Sequence, residues 1–265
     1  MDTWVLMRGL TRESGHWGRF IGLLEDAFPA ARIVALDLPG NGRLNQLRSP
    51  ARIGAAMETC REQLRALGIA PPYRLLGMSL GAMVAVDWAV QHPRELEACV
   101  LINTSLRPFS PFYERLRPAN YGALLGLAFG RQNAREREAT ILRLTTRHAG
   151  GGTAVLDDWT AIREARPVSP SNAVRQVLSA ARYRAPRQVP SVPLLVVASA
   201  RDGLVSPNCS RRLARQWGAE IAEHPSAGHD LPLDDGPWLA AQMARWAARG
   251  IRRAAVAPPG RPDAP

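Results

Sequence analysis

No lysine occurs in this 265-residue chain, although its net charge is +11. All 34 basic residues are therefore arginine, set against 23 acidic ones. A lysine-free, alanine-rich composition accounts for part of that charge as compositional bias. No nucleic-acid motif accompanies it, so nucleic acid is not the expected partner. Cysteine is scarce: Cys60, Cys99 and Cys209 are odd in number and widely spaced. That argues against a disulfide framework or a zinc site, and the three read as reduced, buried thiols. Long hydrophobic runs are missing too. The stretch MDTWVLMRGL carries an acid at its second position and only four consecutive apolar residues, too few for a signal peptide. No later run approaches the ~18 apolar residues of a membrane span. A cytoplasmic protein with no membrane span is the expectation. What remains is a chain 46% hydrophobic, long enough to bury the core of one domain.

Short apolar runs at residues 4–7, 32–36, 74–78, 97–103, 194–200 and 220–224 alternate with helical patterns. Such alternation predicts an α/β fold, a mostly parallel central sheet flanked by helices. Several helix ends are legible. Ser49-Pro50 suggests a cap with proline at the first helical position, and Gly68 a stop. Pro207 opens a helix that Gly218 closes, and acids with a proline precede another ending at Gly250. From Leu106 to Gln188 no strand run appears, only helical segments, one of them starting at Asn133 and running toward Gly150–Gly152. This stretch reads as a helical cap inserted between two strands. The expected organisation is a core of residues 1–105 and 189–253, a cap of 106–188, and a disordered proline-rich tail of 254–265.

In an open parallel sheet, the ligand crevice forms at the carboxyl ends of the strands. Three reactive residue types fall there, in the order serine, acid, histidine. Ser79 follows residues 74–78, Asp202 follows 194–200, and His229 follows 220–224. Ser79 sits between Gly77 and Gly81, at the junction of a strand with a helix over residues 80–90. The glycines supply the missing side-chain volume that lets such a turn close with the serine hydroxyl projecting. The helix N-terminus favours developing negative charge, and the Leu80 N–H is placed to bind an oxyanion. His229 would take the serine proton and return it to the leaving group, with Asp202 fixing its tautomer. A small residue at a tight turn would explain Ser79 alone, but not its company. His224, at a strand end, is the rival histidine, and Asp37, in a turn-fixing DLPGNG, the rival acid. His16 reads as a loop residue near the crevice mouth, whereas His92 and His148 suit helix C-termini.

These pieces together resemble the α/β-hydrolase superfamily over nearly the whole chain up to Gly250. The matching segments are LMRGLTRESGHW, LDLPGNG, GMSLG, SARDGLVSP and PSAGHDLPLDDGPW, in that order. The nearest likeness is to small capped serine carboxylesterases, including methyl ester esterases acting on carrier-protein-bound chains. The resemblance implies ester hydrolysis through an acyl-serine intermediate, without metal or organic cofactor, and an α/β-hydrolase fold with a helical cap. It also implies a second oxyanion N–H at Leu10. A serine nucleophile separates the chain from the dehalogenase and epoxide-hydrolase branches. One departure stands out: the usual His-Gly after the first strand is Arg8-Gly9 here. Arg8 is expected to shape the oxyanion loop and read an acidic substrate group, or else to reach solvent or pair with Glu13.

The cap segment from Leu106 to Pro190 holds fourteen arginines and six acids, +8 of the chain's +11. Part of this is a solvated helical face with Glu–Arg pairs in AREREA supporting the helix. The functional expectation is an anionic partner, either an acidic carrier protein or an acidic substrate. Phe109, Phe112, Tyr113, Tyr121, Leu124, Leu125 and Phe129 should pack the cap. Of these, Phe109, Tyr113 and Tyr121, with Arg8, are the candidates for lining an acyl pocket above Ser79. Thioester, lactone or carbon–carbon bond hydrolysis and acyl transfer use the same triad. A ligand-binding receptor that keeps the fold but turns over little is the alternative outside enzymes.

Overall fold

The inner strands of this protein read as near-continuous apolar runs because the helices leave them no water on either face. In the computed structural model, which describes residues 2–148 and 152–250, six strands pair in parallel in the order β2-β1-β3-β4-β5-β6. They are β1 (Thr3–Met7), β2 (Arg32–Leu36), β3 (Tyr73–Met78), β4 (Leu96–Ile102), β5 (Leu194–Ser199) and β6 (Glu220–His224). Each lies within a residue of the run expected for it. The central β4 and β5 are almost wholly buried, whereas β2 and β6 at the edges are partly exposed.

Side chains alternate across a strand, so each strand feeds two half-cores. Val5, Met7, Leu75, Cys99, Leu101 and Val196 face one half; Trp4, Leu6, Leu76, Val100, Ile102 and Val197 face the other. Against these two faces pack α1 (Phe20–Ala27), α2 (Ile53–Ala66), α3 (Leu80–Gln91), α9 (Pro207–Trp217) and α11 (Gly236–Ala248). Residues of α2, α3 and α9 close the first half-core, and those of α1 and α11 the second. Nine of the twelve residues of α3 are buried, and the helix is exposed only over its last turn, at Val90 and Gln91. Its alanines and glycine let it lie close to the sheet. Gly218 ends α9 in the left-handed conformation, as its position suggested. The start of α2 differs from expectation. Ser49 does not cap it, because the serine hydroxyl donates to the Pro39 carbonyl (2.8 Å) and its N–H to Asn172 Oδ1 (2.8 Å).

Among the described residues, five α-helices lie between β4 and β5: α4 (Phe112–Arg115), α5 (Tyr121–Phe129), α6 (Ala134–Thr145), α7 (Gly152–Ala165) and α8 (Pro170–Arg182). Among the described residues, one β-bridge, Arg107 to Arg184, pairs extended backbone within this helical layer. Asn133 and Glu136 cap α6 reciprocally. The helix stops at Thr145, short of the glycines, because the chain then turns to donate the N–H groups of Arg147 and His148 to the Asp234 carboxylate. Asp234 ends the short α10 (Leu231–Asp234). The proline-rich tail expected at 254–265 lies outside the described residues.

Arginine acts as mortar in this layer. Arg115 donates to the Ala180 carbonyl (2.7 Å), Arg137 to the Gly130 carbonyl (2.8 Å) and Arg147 to the Arg201 carbonyl (3.1 Å). AREREA therefore does not support its helix by internal pairs. Arg137 reaches back to α5, and Glu138 is fully buried between Arg12 (2.6 Å) of the loop after β1 and Arg163 (2.5 Å) of α7. The Arg12 guanidinium also lies over the Trp159 ring, 3.9 Å from its centroid. The three cysteines are buried and unpaired, and burial pushes the thiols up, Cys60 to about 12 and Cys209 to about 11. Among the described residues, no helix is long and apolar enough to cross a membrane.

Candidate active site

Because every strand is parallel, the loops that follow β1, β3, β5 and β6 leave the sheet at the same end. Ser79 occupies the turn from β3 into α3 with φ +54° and ψ −112°, a region an ordinary side chain adopts only under constraint. The constraint is visible on both sides of its peptide. Its N–H donates to the Ile102 carbonyl (2.9 Å), and its own carbonyl accepts from the Thr104 hydroxyl (3.1 Å). The flanking glycines have no room for a side chain. A Cβ on Gly77 would stand 2.6 Å from the Ala82 Cα, and one on Gly81 would overlap the Met7 carbonyl oxygen. The turn after β1 lies directly on the serine, since a Cβ on Gly9 would sit 3.2 Å from the Ser79 Cβ. Among the described residues, the N–H groups of Leu10 and Leu80 have no backbone acceptor in the turns and loops. Both belong to the segments that meet at Ser79.

Asp202 follows β5 and is buried. One carboxylate oxygen accepts the N–H groups of Leu204 (2.8 Å) and Val205 (2.9 Å), and the other meets His229 Nδ1 at 2.7 Å. A carboxylate acceptor at Nδ1 places the proton there and leaves Nε2 with its lone pair, the tautomer a general base needs. Asp202 and His229 are thus brought together. Among the described residues, no hydrogen bond joins Ser79 Oγ to His229 Nε2.

Asn103 and Thr104, just past β4, escaped the reading of the sequence. Asn103 sits at φ +46° and spends its whole amide on the site. Nδ2 donates to the His229 carbonyl (2.8 Å) and to Ser199 Oγ (2.9 Å), while Oδ1 accepts the Ser199 N–H (2.8 Å). With Thr104 holding Ser79, the end of β4 ties the serine turn to the histidine loop. The signal was there as an asparagine ending a long apolar strand, a residue tolerant of the left-handed region.

The rival groups are accounted for by turns. His224 meets Asp235 Oδ2 through Nε2 (3.1 Å) and accepts the Ala227 N–H at Nδ1 (2.8 Å). Asp37 accepts the N–H groups of Ser14 (2.6 Å) and Arg43 (2.9 Å). His16 is buried rather than at a crevice mouth, its Nδ1 accepting the Glu13 N–H (3.1 Å). Burial, followed by the charges of Arg12 and Arg8, holds its imidazole well below the usual histidine range.

Arg8 requires the largest correction. It neither reaches solvent nor pairs with Glu13. Its guanidinium is buried and bonded to Asp230, while Glu13 takes Arg166 instead (2.5 Å). Phe109 packs edge-on against Trp217, centroids 5.5 Å apart, on the α9 side of the core. Tyr113 is half exposed and meets the still more exposed Phe112 edge to face. Tyr121 opens α5 and is partly buried. A wide surface groove lined by Arg74, Pro93, Arg94, Glu97 and Ser191 lies at the amino-terminal ends of β3 and β4, the far side of the sheet from Ser79. Among the described residues, no three His, Cys, Asp or Glu side chains gather in a group able to hold a metal.

Comparison with known proteins adds a second line of observation. The sequence pattern of the family described as "Alpha/beta hydrolase family" matches residues 4–258. The pimeloyl-[acyl-carrier protein] methyl ester esterase of Nitrosospira multiformis is 25% identical over 236 residues, covering 85% of this chain and 86% of that protein. RutD of Klebsiella pneumoniae, named provisionally as a carbamate hydrolase, is 25% identical over 260 residues, covering 87% of this chain and 85% of that protein. A solved thermophilic esterase from Thermogutta terrifontis superposes with a TM-score of 0.72 at 19% identity, covering 95% of this chain and 91% of that one.

Proposed function

The chain belongs to the alpha/beta hydrolase family, and from that premise we propose that it hydrolyses carboxylic esters through an acyl-serine intermediate on Ser79. The observation that carries the reading is the 2.7 Å bond from His229 Nδ1 to the buried Asp202 carboxylate. It supplies an oriented base on the loop next to a serine held at a strained turn. In the proposed reaction Ser79 Oγ attacks the ester carbonyl carbon while its proton passes to His229 Nε2. The resulting oxyanion accepts hydrogen bonds from the N–H groups of Leu10 and Leu80. Collapse of this intermediate expels the alcohol, which takes the proton from His229. Water, deprotonated by the same nitrogen, then releases the acid. Asp202 keeps the imidazole in the required tautomer and stabilises the imidazolium.

Two of the relatives carry names that mention an acyl-carrier-protein methyl ester and a carbamate. Both are carbonyl substrates that this chemistry attacks, and they define the substrate panel. The arginine surplus of the helical layer favours an acidic acyl group or an acidic carrier. The test is hydrolysis of p-nitrophenyl esters of increasing acyl length, an aryl carbamate and a carrier-bound methyl ester. Wild type is expected to turn over at least one ester continuously, and Ser79→Ala to fall to the rate of the buffer control. A single stoichiometric burst with no turnover, or an active Ser79→Ala protein, overturns the proposal.

A further inference from the structure

Arg8 and Asp230 stand next to the two halves of the proposed machinery. Arg8 lies two residues before Leu10 in the turn after β1, and Asp230 directly follows His229. Both side chains are buried, at 2% and 3% exposure. They meet fork to fork, Nη1 to Oδ1 at 3.1 Å and Nη2 to Oδ2 at 2.5 Å. Nη1 also reaches the Sδ of Met78 (3.4 Å), the residue before the serine. The guanidinium plane rests over Trp17, 4.9 Å from the ring centroid. One planar group therefore touches the residue preceding the nucleophile and the residue following the base, and belongs itself to the oxyanion turn.

We infer that Arg8 and Asp230 form a positioning pair that sets the distance between the oxyanion turn and the His229 imidazole. The inference rests on the Ser79 chemistry proposed above. A bidentate guanidinium–carboxylate contact is directional, fixing both separation and relative tilt of the groups that carry it. A buried ion pair is a weak source of stability, because apolar side chains of similar size do as well in its place. Its consequence here is geometric, since the backbones at its two ends are anchored to different parts of the molecule. The Arg8 carbonyl packs against Gly81 of α3. The Asp230 N–H donates to the Thr145 carbonyl (2.8 Å) at the end of α6. The side-chain pair is the direct link between these two anchors. Asn103 fixes the His229 carbonyl but makes no hydrogen bond to the oxyanion turn, so this part falls to the pair.

The test replaces both partners at once by apolar groups, Arg8→Met with Asp230→Leu, a change that leaves no uncompensated buried charge. Melting temperature, kcat and KM are measured with the best ester of the panel. The pair acting as positioner predicts a nearly unchanged melting temperature, KM within about twofold and kcat lower by about 10- to 100-fold. Asp230→Asn, isosteric and neutral, is read alongside and should lower kcat without raising KM. Arg8→Lys, which keeps the charge and loses the fork, should recover only part of the kcat. Because the two act as a unit, the losses of single and double variants should not multiply. If the double variant fails to fold, the kcat of Asp230→Asn decides. Wild-type kcat in a folded double variant, or in Asp230→Asn, overturns the inference while leaving the ester chemistry intact. A wild type inert on every ester overturns the ester chemistry and the inference with it.

Discussion

Asp202 holds three hydrogen bonds, two to backbone N–H groups and one to His229, and so is fixed whether or not substrate is bound. Asp202→Asn should preserve the fold, since the amide oxygen can still accept the backbone donors. It then presents an N–H to Nδ1 and forces the wrong imidazole tautomer, and kcat is expected to drop about 10⁴-fold. A melting curve beside steady-state rates checks it; a loss below tenfold would show that the tautomer is set by another group. His16 gives a different kind of prediction. The fold keeps this imidazole neutral well below its ordinary range near 6.5, whereas an unfolded chain protonates it beneath about pH 6.5. Between those two values the unfolded state binds more protons. The His16 contribution to stability is therefore complete above pH 6.5 and lost as pH falls below it, at no more than about 1.4 kcal/mol per pH unit. Urea midpoints at pH 7.5 and pH 5 should diverge in wild type and diverge less in His16→Gln; equal slopes would remove His16 from the account.

At the level of elements, the loop after β1 is the crossing point of the molecule. Its Gly9 faces Ser79, its Arg8 grips Asp230, and its Arg12 grips Glu138 of α6. Glu138 is fully buried between two guanidinium groups. Glu138→Gln leaves Arg12 with a buried and uncompensated charge, a change that costs about 3–5 kcal/mol. Urea denaturation is the measurement, and a loss under 1 kcal/mol would show that water reaches the pair. Gly81→Ala should cost far more in urea denaturation than Gly122→Ala in α5, because the methyl added at 81 meets the Met7 backbone whereas the one at 122 meets open space. Strands, the serine turn and the Asp202 and His229 loops were legible because each rests on a local signal: an apolar run, two bracketing glycines, an acid or histidine just past a strand. The Arg8 and Glu138 contacts were not. Arg8 and Asp230 are 222 residues apart, Arg12 and Glu138 126, and no periodicity or turn chemistry connects such positions. A charged residue beside a strand end reads as exposed until its partner is known. The same reason hid the contact of Phe109 with Trp217, which comes from a helix 108 residues later.

Over the whole molecule, charge is distributed unevenly, and the helical layer carries most of the surplus. If the proposed substrate is acidic, its capture should weaken as salt screens that field. Raising ionic strength from about 10 mM to about 0.5 M should lower kcat/KM for an ester with a terminal carboxylate several-fold, and leave a neutral ester of equal length almost unchanged. Parallel salt responses for the two esters would remove the arginine surplus from substrate recognition. Variants for that experiment are best drawn from Arg131, Arg143, Arg182 and Arg187, all exposed.

The arginines that bracket carbonyls between helices carry a further implication. A guanidinium keeps its proton across the whole biological pH range, so acidity cannot dim the positive face of this protein. Nor can acetyl transfer, which needs the amine that every basic side chain here lacks. Arg115, Arg137 and Arg147 hold the helices together with the same group that supplies the charge. Losing any of these three therefore removes a positive charge and a contact that closes the roof in one step.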